Sequence, residues 1–264
     1  MPDILLYALA GLLVGALVGL TGVGGGSLMT PILVFVFGQA PSVAVGTDLI
    51  FAASTKLAAT ASFGYSRRID WRVVGRLALG SLPAAVAVLA SLWIAEREPA
   101  GIDRVIARGL AVMLVLTALG LLFQAPLRRL GLKVTAASLR GTDRWTPALT
   151  VVTGVIVGAA VTLTSVGAGA LGVVALLYLY PLRLASDRLV ATDIAHALPL
   201  TLVAGLGHAS LGHLNLPVLG YLLLGSIPGV LIASRLTIRL PQPVLRGLIG
   251  LALAAVGGRI LLTT

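Results

Sequence analysis

The sequence predicts an all-α, polytopic integral membrane protein. Its architecture is an inverted-topology repeat of two five-element halves, each with four long spans and one short broken-helix element. Three observations carry that prediction. Hydrophobic residues make up 58% of the 264-residue chain and charged residues only 11%, with a strongly positive mean hydropathy, which fits a lipid solvent better than water. Two stretches of the chain repeat one another in order. Basic residues then alternate between equivalent loops, which turns the two copies in opposite directions.

The long spans come first. Apolar runs cover about 43–63, 73–94, 104–123, 147–163, 189–207, 216–238 and 244–262, each near the ~20 residues a helix needs to cross ~30 Å of hydrocarbon. The N-terminal segment, MPDILLYALAGLLVGALVGL, lacks the basic flank and small-residue cleavage site of a secretory signal and reads as a further membrane segment. The largest polar stretch, 124–146, reads as a cytoplasmic connector between a first transmembrane repeat, 1–123, and a second, 147–264.

The repeat is visible residue by residue. Val45–Ala53 (VGTDLIFAA) matches Val190–Leu198 (VATDIAHAL), and Gly80–Val86 (GSLPAAV) matches Gly225–Leu231 (GSIPGVL). Thr21–Leu28 (TGVGGGSL) aligns with Thr164–Leu171 (TSVGAGAL), and Asp70 pairs with Asn215. Loop charges orient the copies: Arg67, Arg68, Arg72 and Arg76 crowd the first loop against Asp70, while its counterpart, 207–217, has no Lys or Arg. The next pair reverses, with Arg235, Arg239 and Arg246 unopposed by acids. The positive-inside rule then places the N-terminus, 39–42, 95–104, 208–215 and the C-terminus outside, and 64–72, 124–146, 181–188 and 236–243 inside. Two copies in series face opposite ways only if each crosses an odd number of times. The short apolar pieces Leu28–Gly38 and Leu171–Pro181 therefore count as fifth elements. Residues 4–38 as one straight helix would be about 52 Å long, so a turn at the glycines is required independently.

Glycine breaks a helix in lipid only where the freed N–H and C=O groups find partners, inside the bundle or along a polar cavity. The expected substrate site is therefore lined by Thr21, Gly24, Gly25, Gly26 and Ser27 from the first break. Thr164, Ser165, Gly167 and Gly169 line it from the second, with short helices presenting amides and positive dipole ends to a small anion. Tight helix packing is the competing use of such glycines. No Gly-Lys-Ser/Thr follows, so a nucleotide loop is excluded.

Charges inside the spans complete the candidate set. Asp48 and Asp193 share one repeat position, each after a threonine, and are candidates for coupling or gating; a helix-start acid is the plainer reading. Lys56 lies eight residues beyond Asp48 on nearly the same helix face, placed to balance it through a partner or to attract an anion. His196 stands where the first half has Phe51, an asymmetric group whose charge changes near neutrality, or simply a hydrogen-bonded core histidine. His208 and His213 fall in the outer loop without carboxylates, so no metal site is expected, and the absence of cysteine removes thiol ligands and disulfides. No cofactor is implied.

Taken together, GLTGVGGGSLMTPIL, AVGTDLIFAASTK, IDW and GSLPAA, with ATDIAHALP, HLNLPV and GSIPGV, resemble the TauE/SafE family of sulfite exporters from about Ile4 to Leu262. The resemblance implies a bacterial inner-membrane permease for sulfite, sulfonates or related organosulfur anions, with no catalytic motif. The partners it implies are that anion and the lipid bilayer. The net charge of +10 does not point to nucleic acid, because 17 of the 19 basic residues are arginines scattered through short loops between spans, which fits membrane orientation. An intramembrane lipid-phosphate enzyme would want clustered carboxylates and mid-span arginines, which the sequence lacks; a passive anion channel is the remaining alternative.

Overall fold

The computed structural model describes residues 2–21, 26–63, 69–95, 99–123, 126, 145–167, 169–180, 186–235, 247, 250–251 and 253–258. Almost all of the expected connector, 124–146, lies outside these, as do Gly24 and Gly25. Among the described residues there are helices and turns and no strand. The helices are α1 (Pro2–Thr21), α2 (Gly26–Phe35), α3 (Pro41–Phe63), α4 (Trp71–Ala95), α5 (Pro99–Leu122), α6 (Thr146–Thr164), α7 (Ala170–Leu179), α8 (Ser186–Ser210) and α9 (Leu216–Arg235). Residues 253–258 are also helical, and Leu253 packs with Leu110 and Leu114 of α5.

The second expected break is present: α6 stops at Thr164 and α7 restarts at Ala170. The first falls on residues 22–25, between α1 and α2, which lie outside the described residues. α2 and α7 have ten residues each, about 15 Å, which is half a bilayer. Five described helices are long and apolar enough to span one. Leucine, isoleucine, valine and phenylalanine cover the outer surface, as expected of side chains that face lipid. Trp71 and Trp93 are both about two-thirds exposed, near opposite ends of α4. Their separation of 22 residues is about 33 Å of helix, which sets two interfacial aromatics one hydrocarbon thickness apart.

Small residues decide which helices touch. Gly11 and Gly15 of α1 lie so close to Leu222 and Ser226 of α9 that a Cβ on either would enter the α9 backbone, and Gly225 and Gly229 meet Ala8 and Leu12 in return. Gly154 and Gly158 of α6 press in the same way on Leu77 and Ser81 of α4, and Gly80 on Val151 and Gly154. Such contacts supply the van der Waals attraction that holds helices together in lipid, where no hydrophobic drive separates helix from solvent. The opening helix of each sequence repeat thus packs on the fourth element, the third long one, of the other. α3 and α8 pack against each other at the centre.

Two matching hooks fix the ends. The Asp70 backbone N–H donates to the Thr192 hydroxyl (3.0 Å), and the Asn215 N–H donates to the Thr47 hydroxyl (3.0 Å). The side chains of Asp70 and Asn215 meanwhile accept from Val73 N and Val218 N, capping α4 and α9. Hydrogen bonds gather Tyr7, Gln39 and Asn215 at one end of the bundle, where Asp103 also receives the Ser42 amide. At the other end Tyr180 bonds Thr150 (2.7 Å) and receives Arg76.

Candidate functional site

A polar centre is buried between α3 and α8. Asp48, on α3, has 0% exposure, and its Oδ2 accepts both the Thr30 amide (3.1 Å) and the Thr30 hydroxyl from α2. The short broken helix therefore delivers two donors to a resident carboxylate. Ser165 lies beside the same carboxyl group, brought there by the second break. Neither the Ser165 hydroxyl nor Asp48 Oδ1 completes a hydrogen bond among the described residues, although both are buried. Ser165 adopts the left-handed conformation (φ 58°) that closes α6, a backbone state costing a non-glycine residue on the order of 1 kcal/mol.

Asp193, on α8, meets different surroundings. Its Oδ1 sits directly over Gly172 of α7, where a Cβ would displace the carboxyl group. Lys56 is buried at 2% exposure, within electrostatic reach of Asp193, Asp48 and His196. His196 Nε2 lies 2.8 Å from the Ser81 hydroxyl of α4, a hydrogen bond that Phe51, its repeat counterpart, cannot make. One cation and two acids from the two repeats thus share a buried interior, the arrangement that buried charge requires to be tolerated.

The amides of the second break are largely used within it. Val166 N donates to Thr164 Oγ1 (3.2 Å), Gly169 N and Gly172 N to Gly167 O, and Val173 N to Gly169 O. Gly167 supports this with φ 110°. Thr164, Ser165, Gly167 and Gly169 are all buried. Of the first break, Thr21 ends α1, and Gly26 and Ser27 open α2, while their side-chain surroundings and all of Gly24 and Gly25 lie outside the described residues.

Some contacts of these residues were not among the sequence candidates. Thr30 and Gly172 are the neighbours that distinguish the two aspartates, and Ser81 holds His196. His208 corrects the loop assignment: α8 continues to Ser210, and His208 is fully buried with Nε2 donating to Thr162 O (2.9 Å). Gly212 (φ 74°) then closes the helix and returns His213 to 3.3 Å from His208, Nδ1 to Nδ1. Among the described residues no group of three or more metal-ligating side chains forms. A cavity of about 300 Å³ between α4 and α8, lined by Val86, Leu89 and Trp93, is apolar and lies away from these charges.

Comparison with known proteins identifies the lineage. The chain matches the sulfite exporter TauE/SafE family over residues 7–260. It belongs to that family. This TauE/SafE protein is also 41% identical over 243 residues to the probable membrane transporter protein YjnA of Bacillus subtilis (strain 168), covering 89% of this chain and 91% of that one. No solved structure gives a significant match. The protein is a multi-pass membrane transporter and not an enzyme.

Proposed function

We propose that this transporter moves a small sulfur-containing anion, sulfite or an organosulfonate, across the bacterial inner membrane by alternating access between two inverted halves. The N- and C-termini both lie outside in this reading. The observation that supports it best is the shared polar centre, where Lys56 interacts with Asp48 of one half and Asp193 of the other, and these acids in turn touch the short helices α2 and α7. Lys56 supplies the positive charge that an anion needs in a buried site. Polar backbone and hydroxyls from Thr21, Gly24, Gly25, Gly26 and Ser27, and from Thr164, Ser165, Gly167 and Gly169, complete its first contacts. Asp48, Asp193 and His196 couple or gate the movement. The tight packing of α1 on α9 and of α6 on α4 supports rocking of these two inter-repeat pairs as units about α3 and α8.

Flux of labelled sulfite and of labelled taurine into and out of proteoliposomes tests the assignment. Saturable transport of a sulfur anion is expected, falling at least tenfold in Lys56→Gln. Folded protein that moves neither anion would overturn the substrate class.

A further inference from the structure

We propose that the bodies that move during transport are two exchanged bundles and not the two sequence repeats. One is α1, α2, α3 and α9, the other α4, α6, α7 and α8, and they shift against each other along the contact between α3 and α8. This deepens the alternating-access reading, on which it rests, by naming the moving parts and the surface between them.

Three kinds of contact sort the helices in the same way. The first is main chain against main chain. Gly11, Gly15, Gly225 and Gly229 fasten α1 to α9, and Gly80, Gly154 and Gly158 fasten α4 to α6, too closely for a side chain to fit between. Helices meshed at that distance slide only by lifting apart, which forfeits the packing that holds them in lipid. The second is hydrogen bonding. Thr30 on Asp48, Asn215 N on Thr47 and Gln39 on Tyr7 join the elements of the first bundle. Asp70 N on Thr192, His196 with Ser81 and Tyr180 with Thr150 join those of the second. The third is the apolar core. One cluster gathers Val14, Met29, Phe51 and Leu222 from α1, α2, α3 and α9, and another gathers Leu77, Leu176 and Leu189 from α4, α7 and α8. Each bundle therefore holds the first three elements of one repeat and the fourth of the other.

The seam is built differently. Gly205 of α8 meets the tip of the Ile50 side chain of α3, and Val45 and Leu49 of α3 share an apolar cluster with Leu200 and Ala204 of α8. Such contacts are non-directional, so side chains exchange neighbours as packed helices shear by small steps. Polar contacts that do cross the seam lie at the charged centre, where Ser165 stands beside Asp48 and Lys56 interacts with Asp193. A shift along α3 and α8 thus rearranges the groups assigned to the substrate site. The chain passes between the bundles at Gly212 (φ 74°), which lies between His208, bonded to Thr162 of α6, and His213, whose carbonyl rests on Gly46 of α3. α5 touches both, through Asp103 on the Ser42 amide and Gly109 on Leu163.

The chain has no cysteine, so spin labels can be placed in pairs at four exposed positions by Leu5→Cys, Val86→Cys, Leu149→Cys and Ile232→Cys. Double electron–electron resonance on the full chain in lipid nanodiscs, without anion and with sulfite, then separates the two partitions. Leu5 with Ile232, and Val86 with Leu149, join different repeats within one bundle and should each give a single narrow distance that sulfite leaves unchanged. Leu5 with Val86, and Leu149 with Ile232, join one repeat across the seam and should give broader or two-peaked distributions that sulfite shifts by about 5 Å, the scale of one helical step. Narrow distances within repeats and broad ones within bundles would overturn the proposal, as would four distributions of equal width. The expected order of widths without any response to sulfite would retain the bundles and count against sulfite as the substrate.

Discussion

Asp48 and Asp193 occupy the same position of the repeat, each one residue after a threonine that receives an equivalent hook from the other repeat. Around that shared frame their chemistry differs. Asp48 is fed by the Thr30 amide and hydroxyl and stands beside Ser165; Asp193 rests on Gly172 and interacts with Lys56. The next turn differs too, with Phe51 buried in one repeat and His196 bonded to Ser81 in the other. The scaffold is duplicated while its polar contents are not, so the first repeat holds its acid with hydrogen bonds and the second holds its acid with charge.

The largest effect should come from breaking the scaffold that the halves share. Gly11→Leu and Gly154→Leu each drive a side chain into the facing backbone and should cost 3 kcal/mol or more, on the order of the severest overpacking changes. Loss of the monodisperse peak on size-exclusion chromatography for both would show the two interfaces to be equivalent; loss for only one would break the comparison. Next come the acids. Asp193→Asn removes a carboxylate that buried Lys56 interacts with and should cost about 2 kcal/mol, in the range for leaving a buried polar group undercompensated. Asp48→Asn keeps an oxygen for Thr30 and should cost about 1 kcal/mol. Thermal unfolding in detergent measures both, and equal shifts would contradict the division into a charge-held and a hydrogen-bond-held acid. The smallest effects belong to the hooks. Thr47→Val and Thr192→Val each leave one backbone amide without its acceptor, costing about 1 kcal/mol apiece and matching within experimental error.

Much of this was legible in the sequence because its signals are local. Hydropathy runs located α3 to α6, α8 and α9 to within a few residues, and the second glycine cluster located the break between α6 and α7, since apolar length and chain reversal are written in neighbouring residues. The partners were not. Thr30 and Asp48 are eighteen residues apart and meet only after the chain folds back through α2. Gly172 looks like any small residue until Asp193 lies over it. The spacing of Gly11 with Gly15, and of Gly154 with Gly158, marks a helix face for close contact without saying which helix fills it. His208 was misplaced because GHASLGHLNLP reads as turn-forming throughout, whereas the helix persists until Gly212 supplies the reversal.

The glycine faces of α1 and α9 carry a consequence for biosynthesis. A ribosome delivers α1 into the bilayer roughly two hundred residues before the helix that covers it exists, so the nascent N-terminal helix waits in lipid with its closest contact surface bare. Insertion can proceed helix by helix, but maturation is set by the last partner to emerge, and a chain truncated before residue 216 leaves that surface open to chaperones or proteases.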